Sequence, residues 1–117
     1  MADNKAKLQD MIDGIQSGKL MEKFEQYYAD DVFMSENGRD EPNRHGKEAN
    51  RQYEQYFVDN AEFHDVKVGP VIGDGNITGY EMWMDITFGG QRMQRLQWAT
   101  QEWKDGKIVK EVFFYNE

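Results

Sequence analysis

The chain has no cysteine, which excludes a disulfide scaffold and a thiolate zinc site. A reducing, intracellular compartment is the simplest fit to that composition, and a cytoplasmic location is the expectation. There are two histidines, His45 and His64, with no ligand spacing around them. The expected protein therefore uses no metal and no cofactor. No apolar run approaches the ~18 residues of a membrane span. The start, Met1-Ala2-Asp3-Asn4-Lys5, lacks the apolar core of a signal peptide. Basic blocks are missing too. With 22 acidic against 14 basic residues the formal charge is −8, which repels a phosphate backbone. Neither nucleic acid nor a membrane is an expected partner. No Gly-rich loop leads into a helix to hold phosphate, and no nucleophilic Ser constellation is visible.

What is present fits one domain over residues 1–117, since single cores run to ~100–150 residues. Hydrophobic residues make up 38% of the chain, but aromatics reach 14%, so much of the apolar volume comes in large rings. Leu8, Met11, Ile12 and Ile15 form one stripe, predicting a helix over 4–17 that Ser17-Gly18 breaks. A second helix carries Leu20, Phe24, Tyr27 and Tyr28 and stops by Ala29, because Asp30-Asp31 would load a negative helix end. A short strand follows over 32–36. The polar segment 37–46 predicts a loop of a length that makes it a candidate lid. A third helix over 47–60 puts Ala49, Tyr53, Tyr56 and Phe57 on one stripe. The strand 62–72 is weakened by Gly69-Pro70, which suits an edge or a bulge.

From Ile77 onward the pattern is a meander of three long strands with turns at Gly89-Gly90 and Lys104-Asp105-Gly106. A two-residue turn at Gly89-Gly90 sets Ile86 opposite Met93, Met84 opposite Arg95 and Met82 opposite Gln97. At the second turn a two-residue type I′ form and a three-residue form both suit the sequence, and the three-residue form is preferred. The three-residue form places Glu111, Phe113 and Tyr115 beside Ala99, Gln97 and Arg95. One face then holds Met82, Met84, Ile86, Met93, Arg95, Gln97, Glu111, Phe113 and Tyr115, apolar walls with a few orienting polar groups. The other holds Trp83, Leu96, Trp98, Ile108, Val112 and Phe114. A solvated sheet face would be mostly polar, so both faces need covers. The helices supply one, and a second subunit docking on Trp83, Trp98 and Phe114 supplies the other.

The segments Tyr27-Tyr28-Ala29-Asp30-Asp31-Val32, Gly46-Lys47-Glu48-Ala49 and Asp105-Gly106-Lys107-Ile108-Val109-Lys110-Glu111 occur in a telling order. Over about residues 18–117 the chain resembles the nuclear transport factor 2-like superfamily, and within it the SnoaL-like (polyketide cyclase-like) proteins. The resemblance implies an α+β fold, a cone-shaped, curved, mixed sheet wrapped around N-terminal helices (cystatin-like), frequent homodimers, and a pocket between sheet and helices. It does not imply one activity. Ketosteroid isomerase-like members pair a Tyr acid with an Asp base. Tyr27 or Tyr28 and Asp85 are the nearest residues here, without a motif match, so no catalytic role carries over.

Glu111 stands out among the candidate residues. A carboxylate among Val109, Phe113 and Tyr115 is desolvated, which raises its pKa and readies it for acid/base work. The alternative is a structural bond to Arg95, Gln97 or Tyr115. Tyr28 is the accompanying hydrogen-bond donor. Tyr27, Met34, Tyr53, Phe57, Met82, Met84, Met93, Arg95, Gln97, Phe113 and Tyr115 are the candidate ligand-binding residues, for a small lipophilic molecule. Asp85 and Glu81, ~13 Å apart along a strand, are too distant to share a proton and read as salt-bridge residues. His45 and His64 read as solvated. Two functions compete: a cofactor-independent isomerase or cyclase acting on a lipophilic carbonyl compound, and a non-catalytic dimerisation or ligand-sensing module.

Overall fold

The computed structural model describes residues 3–116. Its first helix, α1 (Asn4–Gln16), starts where the Asp3 side chain accepts from the Lys5 amide at 2.9 Å. It ends in a Schellman motif. Gly18, at φ +80°, lets the Lys19 amide reach back to the Gly14 carbonyl at 2.7 Å. The apolar stripe of α1 drives Leu8, Met11 and Ile12 into the core, each almost fully buried. The second helix, α2 (Leu20–Tyr27), is shorter than its sequence pattern suggests. Tyr28 is already extended, at φ −95° and ψ 136°, and opens strand β1 (Tyr28–Glu36). This corrects the helical placement of Tyr28. Adjacent tyrosines thus leave the chain on different elements and in different directions.

A 3₁₀ turn (Pro42–Arg44) and helix α3 (Lys47–Asn60) lead to β2 (Ala61–Asp74), β3 (Ile77–Phe88), β4 (Gln91–Lys104) and β5 (Lys107–Phe114). The five strands form one sheet in the order β1-β5-β4-β3-β2, antiparallel except for the parallel pair β1–β5. Three helices and a curved mixed sheet make an α+β fold, as the resemblance implied. The edge strand β2 shifts register between Val68 and Val71, around Gly69-Pro70. Gly89-Gly90 is a two-residue turn with Phe88 opposite Gln91, and the expected β3–β4 pairs follow from it.

The β4–β5 turn differs in an instructive way. Asp105 and Gly106 have φ of +52° and +79°, the signature of a two-residue type I′ turn, with Lys104 opposite Lys107. Trp103 faces Ile108, but Glu102 faces Lys110, so Val109 is an unpaired bulge residue. A two-residue turn plus one bulged residue has the same parity as a three-residue turn. Glu111 and Phe113 therefore keep their expected face. Their partners move by two residues: Glu111 stands opposite Gln101 rather than Ala99, and Phe113 opposite Ala99 rather than Gln97. Ile108 precedes the bulge and is fully buried in the core, which corrects its assignment to the outer face.

The concave face packs on the helices through Met82, Met84, Ile86, Ala99 and Trp103. On the convex face Leu96, Trp98 and Phe114 are exposed. No helix among the described residues is long and apolar enough to cross a membrane.

Candidate functional site

The concave floor carries a buried polar chain laid across four strands. The Tyr28 hydroxyl, from the start of β1, donates to Glu111 Oε1 on β5. Gln101 Nε2, the cross-strand neighbour of Glu111 on β4, donates to Oε2 at 2.7 Å. Thr78 Oγ1 on β3 donates to Gln101 Oε1 at 2.8 Å, and Trp103 Nε1 donates to Thr78 Oγ1 at 2.8 Å. Glu111 is 0% exposed. Burial pushes its pKa up to about 7, against the lowering effect of the bonds from Tyr28 and Gln101 and of the Arg44 charge. The same burial, followed by the nearby Glu111 charge, pushes the Tyr28 hydroxyl well above its usual value.

A second carboxyl, partly buried with its side chain 14% exposed, lies nearby. Glu54, on the inner face of α3, is also held protonated up to about 7, mainly by burial; Arg44 lowers it while Glu111 and Glu36 raise it. Arg44 is itself 1% exposed and lies 3.3 Å from Glu36 and 3.6 Å from Glu54. Its guanidinium stacks 3.6 Å over the Tyr53 ring. The turn that presents Arg44 is fastened by fully buried Asn50, whose Nδ2 donates to the carbonyls of Arg44 and Gly46, each at 2.8 Å.

Two cavities flank these groups. One, of about 470 Å³, lies beneath the α1–α2 turn and is walled by Tyr28, Met34, Glu54, Tyr80, Met82 and Glu111 among others. The other, of about 640 Å³, lies between α3 and the far end of the sheet, against Tyr53, Ile86, Met93, Arg95 and Tyr115. Glu54, Phe57, Met84, Gln97 and Phe113 belong to both walls. The hydroxyl of Tyr80, a residue 2% exposed, takes part in no hydrogen bond among the described residues, and the side chain borders the smaller cavity.

Of the residues singled out from the sequence, Glu111 and Tyr28 meet in one hydrogen bond. Met34 and Met82 line the smaller cavity; Tyr53, Met93, Arg95 and Tyr115 line the larger; Phe57, Met84, Gln97 and Phe113 line both. Tyr27 lies elsewhere. Its hydroxyl donates to Asp10 at 2.6 Å and its ring packs edge-on against Trp103, so it touches neither cavity. The structural partners expected for Glu111 were Arg95, Gln97 or Tyr115, and the observed ones are Tyr28 and Gln101. Arg95 instead stacks on Tyr115 with its guanidinium 4.0 Å from the ring centre. Asp85 forms a two-pronged salt bridge with Arg92, at 3.0 and 2.9 Å. His45 stacks on Phe33 and bonds Asp40, and His64 bonds Thr87; both lie outside the cavities. The described residues contain no cluster of three His, Cys, Asp or Glu able to hold a metal ion.

Sequence reasoning missed Gln101, Thr78, Tyr80, Arg44 and Glu54. Strand parity extends naturally from Met82 to Tyr80 and Thr78, and from Gln97 to Gln101, so the first three were within reach. Glu54 was hidden by composition. The inward stripe of α3 is Asn50, Glu54 and Phe57, whereas the aromatic stripe drew attention to Tyr53 and Tyr56, which are 36% and 64% exposed.

A model of the SnoaL-like domain matches residues 5–115. Among solved structures, the chain is similar to a candidate SnoaL-like polyketide cyclase from Mesorhizobium loti, with 28% identity and a TM-score of 0.85 over 97% of this chain and 100% of that one. It is also similar to an epoxide hydrolase of the LEH-like type from M. tuberculosis, with 16% identity and a TM-score of 0.77 over 97% of this chain and 82% of that one. An NTF2-like protein of unknown function from Burkholderia pseudomallei K96243 gives 10% identity and a TM-score of 0.75, over 99% of this chain and 92% of that one. The last two likenesses speak for the fold alone. No curated protein matches the sequence.

Proposed function

The chain belongs to the SnoaL-like domain family, and from that premise we propose that it binds a compact lipophilic carbonyl compound and moves a proton on it by cofactor-independent acid/base chemistry, as an isomerase or cyclase. The observation that carries this reading is Glu111, a fully buried carboxyl on a cavity wall whose burial pushes its pKa up to about 7. A general base works best when its pKa lies near the working pH. Glu111 takes the proton from the carbon next to the carbonyl, and the electron pair moves onto the carbonyl oxygen. Tyr28 is already committed to Glu111, so it steadies the base rather than the substrate. Tyr80 has an uncommitted hydroxyl on the same cavity and supplies the donor for the developing enolate. Glu54, on the same wall and with a similar pKa, returns a proton at a second carbon.

A second reading has its own support. Both oxygens of Glu111 accept a hydrogen bond from the protein, as a purely structural carboxyl would require. One experiment separates the two. The fluorescent naphthyl ketone prodan is both an apolar probe and a carbon acid, so its binding and the exchange of its α-protons into D₂O can be followed together. The wild type should bind it and accelerate exchange. Glu111→Gln should lower the exchange rate about a hundredfold or more with binding retained. Equal exchange in the two proteins would leave Glu111 a structural residue and the protein a ligand-binding module.

A further inference from the structure

We propose that one ligand occupies the two cavities together and carries a carboxylate, held by Arg95 in the larger, with its apolar body running along β3 toward Tyr80 in the smaller. The proposal rests on the reading of the cavity as a ligand site and adds the class of molecule it takes. Arg95 is half-buried on the wall of the larger cavity, amid Ile86, Phe88, Met93 and Phe113. Among the described residues it forms no salt bridge, and its single hydrogen-bond contact is the Met93 sulfur at 3.8 Å. Its guanidinium is held in place by stacking on Tyr115, which leaves the planar edge with its paired donors for a ligand. The other four arginines of the chain each lie against a carboxylate, Arg39 on Glu41, Arg44 on Glu36, Arg51 on Glu25 and Arg92 on Asp85.

The carboxyls on the same cavity wall, Glu36 and Glu54, are set against Arg44 and not against Arg95. Glu36 accepts from the Tyr115 hydroxyl at 2.9 Å and lies 3.3 Å from the Arg44 guanidinium. Glu54 lies against the same Arg44. Arg44 sits within ion-pair distance of both carboxyls, though none of its buried guanidinium nitrogens makes a hydrogen bond, and among the described residues Arg95 is the one Lys or Arg on the wall of the larger cavity.

The geometry of the floor sets the length. Arg95 stands opposite Met84, and Met84 belongs to both cavities. From Met84 to Tyr80 is four residues of β3, roughly 13 Å at ~3.3 Å per residue. Every second side chain on that stretch (Tyr80, Met82, Met84) faces the ligand space. A carboxylate at Arg95 therefore leaves room for a medium-length apolar body, which passes the shared wall at Phe57 and Gln97 and ends beside Glu111.

Decanoate and decan-2-one match in length and apolar body and differ in the charged head, so displacement of bound prodan by each isolates the contribution of the carboxylate. Decanoate should bind the wild type about tenfold or more tightly than the ketone, as a charge-assisted bond requires. In Arg95→Gln this preference should vanish, and in Arg95→Lys part of it should return. Circular dichroism of each variant checks that the fold survives. A ratio near one in the wild type, a preference that persists in Arg95→Gln, or no displacement by either compound would overturn the proposal. If the preference follows Arg95 while Glu111→Gln leaves α-proton exchange untouched, the anion site stands and the acid/base function falls.

Discussion

At the scale of single residues the buried carboxyls govern how the protein answers to pH. A free Glu side chain titrates near 4.5, whereas Glu111 and Glu54 keep their protons up to about 7 in the folded chain. Between those values the folded state binds more protons than the unfolded one. The stabilisation is complete below pH 4.5 and is lost as the pH rises through 7. The melting temperature should therefore be higher at about pH 5 than at about pH 8, by an amount reflecting up to a few kcal/mol. Glu111→Gln or Glu54→Gln should flatten the slope; scanning calorimetry that finds none in the wild type would count against the burial of both groups. Tyr28→Phe removes the donor to Oε1 and should cost ~1–2 kcal/mol, read as a fall in denaturation midpoint. Glu111 was legible in the sequence because strand parity puts an acidic side chain among apolar ones. Its cross-strand partner was expected to be Ala99 and is Gln101, because a turn's length cannot be told from a turn plus a bulge by parity. Arg44 and Asn50 were not legible at all. Polar residues in a loop and on a helix read as solvated until the chain is seen to fold over them.

At the scale of elements, the segment between β1 and α3 illustrates what composition can and cannot say. Rich in Gly, Pro and Asn, it was expected to be a loop bordering the pocket, and Asn43 does line the larger cavity. Yet it is tied at both ends. The Asn37 amide donates to the Phe113 carbonyl at 2.7 Å, the Gly46 amide to Val32 at 2.8 Å, and His45 bridges to Phe33. Amide exchange should therefore be slow at Asn37 and Gly46 and fast at Asp40 and Glu41, which confines any lid motion to the tip. Uniform exchange from 37 to 46, fast or slow, would show that these ties do not act as drawn. The spans of α1 and α3, the edge position of β2 and the first hairpin were readable because each has a local cause: periodicity, a proline, a Gly-Gly turn. The end of α2 was not, since extension at Tyr28 is fixed by pairing with Ile108, a contact eighty residues away.

At the scale of the whole molecule the convex sheet face is the unfinished surface. Leu96, Trp98 and Phe114 are 53%, 39% and 45% exposed, and Trp98 pairs directly with Phe114. Monomers seldom leave such rings grouped in water, so a second copy packed on this face is the expected cover. Sedimentation at micromolar concentration should give twice the chain mass, and Trp98→Glu should return it to one; a monomeric wild type would refute the arrangement. The unpaired Val109 bears on ancestry as much as on folding. Losing one codon there would turn the rest of β5 over, sending Glu111 and Phe113 outward and Val112 and Phe114 inward. Along a lineage, a gap of one residue at this place would exchange a chemical strand for an adhesive one, so relatives are better matched by which way their side chains point than by column.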